Sequence, residues 1–224
     1  MTMNNSTKTF RGQANCTVDH PSHFSLSTWL DPTIIKFMPR KHFVSPLWDN
    51  RLMGAEQKWQ RAERTPEECP NVVGYRRSYR FNPASWLTEE KINCGRGGNR
   101  IGGLSVMMAS LKIIYLLGFR RVYLLGVDFA MSATQQYHFA QTQSARQILV
   151  NNVTYAELQM MFSELQPLLL GAGFAVSNCN PTSKLNAFPF VSYEQALHDS
   201  GERLGDYMNE RTEGMYDRGK IDKV

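Results

Sequence analysis

Four groups of residues in this chain have types and spacing that could do chemistry. Asp128 closes the apolar run Val122-Tyr123-Leu124-Leu125, just after Gly126. A carboxylate at the carboxyl end of a buried strand costs free energy unless it is paired or solvated, so Asp128 is either a ligand-site acid or a helix or turn cap. Tyr137 and His138 stand together in the polar stretch Ala130 to Asn152. A phenol there can donate to a developing anion and an imidazole can take a proton near neutrality, or both simply pack in a surface segment. Asn178, Asn180, Thr182 and Ser183 lie in the polar turn NCNPTSKL, where they either grip a ligand or close an Asx or Ser/Thr turn. Asn93 to Gly103, NCGRGGNRIGG, places five glycines with Arg96 and Arg100 ahead of an apolar helix. Backbone N–H groups of such a loop can cradle phosphate, but the spacing is that of neither a P-loop nor a dinucleotide fingerprint, and a flexible connector is the alternative.

These residues need elements to hold them. Leu104 to Phe129 reads as a helix, with Met107, Met108, Leu111, Ile114 and Tyr115 at helical spacing, then a cap at Gly118 and a strand ending at Gly126 and Asp128. A strand apolar on both faces suits the middle of a parallel sheet covered by helices, whose ligands gather at the carboxyl edge. A second helix is expected over Tyr155 to Leu170, capped by Asn152 or Thr154 and ended by Gly171 and Gly173, followed by a strand from Phe174 to Asn178. If the two strands are parallel, Asp128 and the 180–183 turn share one edge. Upstream, residues 1–13 are polar and expected to be poorly ordered, with strands over Asn15 to His20, Lys41 to Trp48 and Val72 to Phe81. Ser192 to Leu197 starts a further helix.

Composition bounds the classes. The chain has 224 residues, 42% hydrophobic and 11% aromatic, which suits one globular core rather than a disordered chain. Lys112, Arg120 and Arg121 interrupt the best candidate for a membrane span. Cys16, Cys69, Cys94 and Cys179 are too scattered for a zinc or CxxC site, which favours buried thiols and a reducing, cytoplasmic setting. The net charge of +5 is uneven: up to Gly103 there are 15 Lys and Arg against 9 Asp and Glu. Scattered solvated arginines account for this better than a nucleic-acid surface, since no recognised nucleic-acid module accompanies them. Trp29, Trp48, Trp59 and Trp86 read as core or surface anchors rather than sugar platforms.

Two segments together resemble a known superfamily. SVMMASLKIIYLLGFRRVYLLGVDF followed by YHF, and then GFAVSNCNPTSKLNAFPF, are similar to the core of the family 42 bacterial sialyltransferases and the related MptE-like proteins, which include 6-hydroxymethylpterin diphosphokinases and motility accessory factors. The likeness runs from near Ser105 to Phe190. It implies that Ser105 at the helix start contacts a nucleotide and that Gly126 and Asp128 lie beside nucleotide and sugar. It also implies that Tyr137 hydrogen-bonds the departing phosphate and that Pro181, Thr182 and Ser183 close round the nucleotide. The chain departs from the pattern in three places. Ala130 stands where the sialyltransferases have a second tyrosine, residues 139–174 contain no histidine, so that His138 is the nearest substitute base, and no G-x-G-P-S-type loop precedes Asn15. That last departure leaves three alternatives open: a shortened chain, a nucleotide loop at 93–103, or lost catalysis.

The expectation is therefore a single Rossmann-like α/β domain over residues 1–198, with a mainly parallel sheet and helices on both faces. It carries an exposed excursion at 49–70 and a lid at 130–152, and residues 199–224 form a C-terminal surface helix and tail. The expected function is transfer of a sugar from a nucleotide-activated donor, CMP-linked donors among the candidates, to an unknown acceptor. It needs no metal or other cofactor, and homo-oligomers are allowed. Asp128, Tyr137 and His138 would be catalytic, while Ser105, Gly126, Asn180, Thr182 and Ser183 would bind the nucleotide. The alternatives are a Mg²⁺- and ATP-dependent pyrophosphokinase with Asp128 on the metal, and a non-catalytic nucleotide-binding module.

Overall fold

The computed structural model describes residues 1–8, 10–49, 52–53, 56–57, 60–95, 105–132 and 144–201. The strands are β1 Thr2–Met3, β2 Ala14–Cys16, β3 Ile35–Pro39, β4 Trp48–Asp49, β5 Leu52–Met53, β6 Glu56–Gln57, β7 Gln60–Arg61, β8 Val72–Tyr75, β9 Arg77–Ser78, β10 Ile92–Asn93, β11 Arg121–Leu124 and β12 Ala175–Asn178. The helices are α1 Leu26–Leu30, α2 Pro83–Trp86, α3 Val106–Leu116, α4 Ala145–Gly171 and α5 Tyr193–Gly201. This is a mixed α/β chain. Its main sheet is four-stranded and wholly parallel, in the order β1-β2-β3-β8, and β9–β10 and β11–β12 are parallel pairs. Among the described residues no helix is long and apolar enough to cross a membrane.

The stretch around α3 joins the layers. Its Ala109 and Ile113 pack with Cys16, Phe37 and Tyr75 of the main sheet, while Met107, Met108 and Leu111 join the core of β11, α4 and β12. Ser105 N–H donates to Cys94 O at 2.7 Å, so α3 starts close to the end of β10, and it finishes shortly before β11. The expected glycine cap forms at Gly118, whose φ is 91°, with Gly118 N–H donating to Tyr115 O and Phe119 N–H to Ile114 O. The same Gly-Phe device ends α4, where Gly173 has φ 69° and Phe174 N–H reaches Leu169 O. Each is a left-handed cap that leads straight into a strand.

Several expectations need correction. Residues 1–8 are folded against the sheet: Thr2 and Thr7 are buried because their hydroxyls find partners, Thr2 at Ala14 O (3.1 Å) and Thr7 at Thr28 (3.3 Å). Lys41 to Trp48 is not a strand. A 3₁₀ turn covers Arg40–His42, Phe43 is helical, and the strand is confined to Trp48–Asp49. The expected strand from Val72 to Phe81 breaks at Arg76 into β8 and β9, and β2 stops at Cys16. Helix α4 begins at Ala145 rather than Tyr155, because Ser144 and Gln147 form a reciprocal capping box that outcompetes the Asn152 or Thr154 cap. Residues 145–152 of the expected lid are thus helix. Finally, β11 is not apolar on both faces: Val122 and Leu124 face the core, whereas Arg121 is exposed and the Tyr123 hydroxyl donates to Asp199 Oδ2 at 3.1 Å.

Two fully buried lysines hold the ends of two short helices. Lys36 Nζ donates to Trp29 O (3.1 Å) and Asp31 O (2.6 Å) at the end of α1, and Lys112 Nζ to Trp86 O (2.7 Å) and Leu87 O at the end of α2. Helices of one turn leave their last carbonyls unbonded, and a buried ammonium satisfies two at once. Burial lowers the pKa of both lysines.

The carboxyl edge of the main sheet is cross-tied. Tyr75 and Arg77, on alternate residues, reach past β3 to the chain leaving β2: the Tyr75 hydroxyl donates to Thr17 O (2.6 Å) and Arg77 Nη1 to Val18 O (2.7 Å). Behind them Gly74 leaves room for Phe43, since a methyl there would collide with that ring and lie 2.7 Å from Arg40 Cγ. Gly74→Ala is expected to cost about 1–3 kcal/mol of stability through overpacking, read from denaturant unfolding.

At the same edge His20 and His42 meet edge to face, with ring centroids 5.2 Å apart. Burial, helped by the charges of Lys41, Arg77 and His20, holds His42 down to about 4, below its ordinary 6.5. The unfolded chain therefore takes up a proton near pH 6.5 that the folded chain refuses until about 4. Stability is expected to be full above pH 6.5 and to fall as the pH drops towards 4, with a shallower fall in melting temperature for His42→Gln.

Candidate functional site

Strands β11 and β12 lie side by side in register, Arg121 opposite Ala175 and Leu124 opposite Asn178, so their carboxyl ends emerge together. The chain leaving β11 bends at Gly126 (φ 66°) and again at Phe129 (φ 57°). A bulky residue in the left-handed region is an outlier, held here because the Phe129 ring stacks on Tyr155 (4.9 Å) and packs against Phe162 (6.1 Å). The two bends bracket Asp128 and present its carboxylate to the turn after β12.

That turn meets it directly. Asn180 Nδ2 donates to Asp128 Oδ1 at 2.6 Å, and Asp128 O accepts from Lys184 N–H (2.8 Å) and the Ser183 hydroxyl (3.4 Å). Asn180 is the hub. Its own N–H donates to Asn178 Oδ1 (3.1 Å), and its Oδ1 accepts from Thr182 N–H (3.0 Å) and the Thr182 hydroxyl (2.9 Å). Ser183 Oγ also accepts Leu185 N–H at 3.1 Å. Asp128 and Asn180 are half-buried, and among the described residues nothing donates to Asp128 Oδ2. The corner therefore offers one open carboxylate oxygen within a rigid frame. It suits a hydroxyl, of a sugar or an acceptor, better than a phosphate, because the N–H groups of Thr182, Ser183 and Lys184 already have acceptors.

The structure thus joins Asp128, Asn180, Thr182 and Ser183 in one constellation with Gly126 at its margin. Ser105 is 7% exposed and caps α3, its Oγ accepting Met108 N–H at 3.2 Å. Tyr137 and His138 lie outside the described residues, as do Arg96 and Arg100 of the glycine-rich loop. No group of three or more His, Cys, Asp or Glu that could hold a metal occurs among the described residues.

Sequence reasoning missed the clamp behind the site. Asn152 Oδ1 accepts Met131 N–H and its Nδ2 donates to Met131 O, both at 2.9 Å, as a paired strand would, while Asn151 Nδ2 lies 3.1 Å from Met131 Sδ. These amides fasten the segment leaving Asp128 to α4. The signal was there as two adjacent asparagines inside an apolar helix, a place that disfavours them unless the amide has work to do. Asn152→Ala is expected to free this segment and cost about 1–3 kcal/mol, measurable by denaturant unfolding together with faster hydrogen exchange at Met131.

No family model, curated protein or solved structure matches the chain.

Proposed function

We propose that this chain is a Rossmann-like glycosyltransferase-type protein that binds a nucleotide-activated sugar at the carboxyl edge of β11 and β12 and transfers the sugar to an acceptor hydroxyl. One observation carries the reading: the 2.6 Å bond from Asn180 to Asp128, which ties the ends of two adjacent parallel strands into a single corner. Ligands of open parallel sheets gather at that edge. In this reading Oδ1 of Asp128 is fixed by Asn180, and Oδ2 accepts the proton of the attacking hydroxyl, with His138 as the alternative base. The acceptor oxygen bonds the anomeric carbon as the bond to phosphate breaks, and Tyr137 donates to the leaving phosphate. The 180–183 turn flanks the nucleotide. No metal takes part, and the setting is cytoplasmic, in keeping with four unpaired thiols, of which Cys16 and Cys94 are pushed up to about 12 by burial.

A second reading, a nucleotide-binding module without turnover, is favoured by one departure from the transferase pattern: Ala130 stands where the sialyltransferases have a second tyrosine. A panel of CMP-, UDP- and GDP-sugars, assayed for nucleotide release and transfer with and without a chelator, separates the readings. Transfer insensitive to chelation is the expected result. Saturable binding without release selects the module, and Mg²⁺-dependent consumption of ATP selects pyrophosphoryl transfer.

A further inference from the structure

The carboxyl edge of the main sheet carries a second constellation, on different strands from Asp128. His20 follows β2, Lys41 and His42 follow β3, and Arg77 follows β8, so parallel pairing delivers all four to the same edge. The two imidazoles touch edge to face at 5.2 Å. Arg77 is held in place by its bond to Val18 O and lies 5.2 Å from the Tyr79 ring, and its buried Nε has no hydrogen-bond partner among the described residues. The Ser22 N–H donates to His20 Nδ1 at 3.2 Å, which fixes the tautomer that carries its proton on Nε2. The His42 ring makes no hydrogen bond among the described residues, although its backbone carbonyl accepts Ser45 N–H at 3.1 Å.

The charge at this edge is mainly positive. The groups acting on His42 are Lys41, Arg77 and His20, and those acting on His20 are His23 and Lys41; every one is a cation or a histidine. Asp19, the nearest acid along the chain, is exposed; it shares the neighbourhood of Cys94 with Arg77 and Lys41 but does not figure among the groups acting on either imidazole. Cations that outnumber the acids around them raise each other's energy, and a multiply charged anion with several acceptor oxygens relieves this while pairing the unused N–H donors. A carboxylate has too few oxygens for donors arriving from three strands. A phosphoryl group has enough.

We propose that His20, Lys41, His42 and Arg77 form an oxyanion site that takes a phosphate group at the carboxyl edge of the four-stranded sheet. The site stands on its own observations and does not require the transferase reading. Its phosphate is either free or part of a nucleotide, and the two sources share the same chemistry.

The test follows the histidine ring resonances by NMR while inorganic phosphate is titrated into the wild-type chain, His42→Gln and Lys41→Ala. Lys41 is exposed, so its removal leaves the fold intact even if the histidine variant is perturbed. Phosphate is expected to saturate, to shift the His20 and His42 resonances and to raise the pKa of His42, with affinity at least tenfold weaker in both variants. Competition by CMP but not cytidine identifies a nucleotide as the source, and failure of CMP to compete identifies free phosphate. Absence of saturable binding to wild type, or phosphate affinity unchanged in both variants, overturns the site.

Discussion

Lys112→Met is expected to lower the unfolding free energy by about 3 kcal/mol, and the melting temperature by roughly 10 °C for a chain of this size. Methionine fills the same space without strain. What it lacks is a donor, so Trp86 O and Leu87 O at the end of α2 are left buried and unpaired, each at a cost of about 1–3 kcal/mol. Removing a buried ammonium also removes its desolvation penalty, which offsets part of that loss. The consequence reaches the fold because Trp86 belongs to the core that contains α4 and β12, and its ring lies 5.4 Å from the same ammonium. Denaturant titration decides it: a midpoint within 0.5 M of wild type at unchanged slope would show that the two carbonyls find other donors.

Asp128→Asn is expected to leave stability within about 1 kcal/mol of wild type and to reduce transfer by about 10²–10⁴-fold. The amide oxygen of the new side chain can still accept from Asn180, and the backbone bonds to Ser183 and Lys184 do not involve the side chain. Only the charge and the open acceptor oxygen are lost. Asp128→Leu should behave differently: it strands Asn180 Nδ2 and loosens the corner, so activity and stability fall together. The comparison separates chemistry from framing. Equal turnover in wild type and Asp128→Asn would leave Asp128 as a structural tie between two strands.

How much of this was legible in the sequence follows from the range of the forces involved. The helix, glycine and strand units ending at Asp128 and Asn178 could be read because apolar spacing and left-handed glycine caps are local signals, and the shared edge of Asp128 and Asn180 follows from parallel pairing. The start of α4 was misplaced because Asn152 and Thr154 have the chemistry of caps, whereas the capping box at Ser144 and Gln147 lay in a stretch that looked like a lid. Asn152 serves the Met131 backbone instead, a contact across 21 residues that no local pattern announces. KHFVSPLW has the composition of a strand, yet Phe43 turns helical so that its ring can lie against Gly74 of β8, and tertiary packing overrides propensity. The ordering of residues 1–8 rests on threonine hydroxyls meeting partners far along the chain. Lys36 and Lys112 read as ordinary charges; only the fold reveals that each meets the unbonded carbonyls of a short helix.

The proposed transfer rests on the corner built by Asp128 and Asn180 receiving a nucleotide-activated sugar. Calorimetric titration of CMP and a CMP-linked sugar into wild type and Asn180→Ala, with matched unfolding midpoints as a control, tests it most directly. The account predicts one-to-one saturable binding to wild type, weakened at least tenfold in the variant. Identical affinities in the two proteins, or no saturable binding of these or of uridine and guanosine donors to wild type, would contradict it.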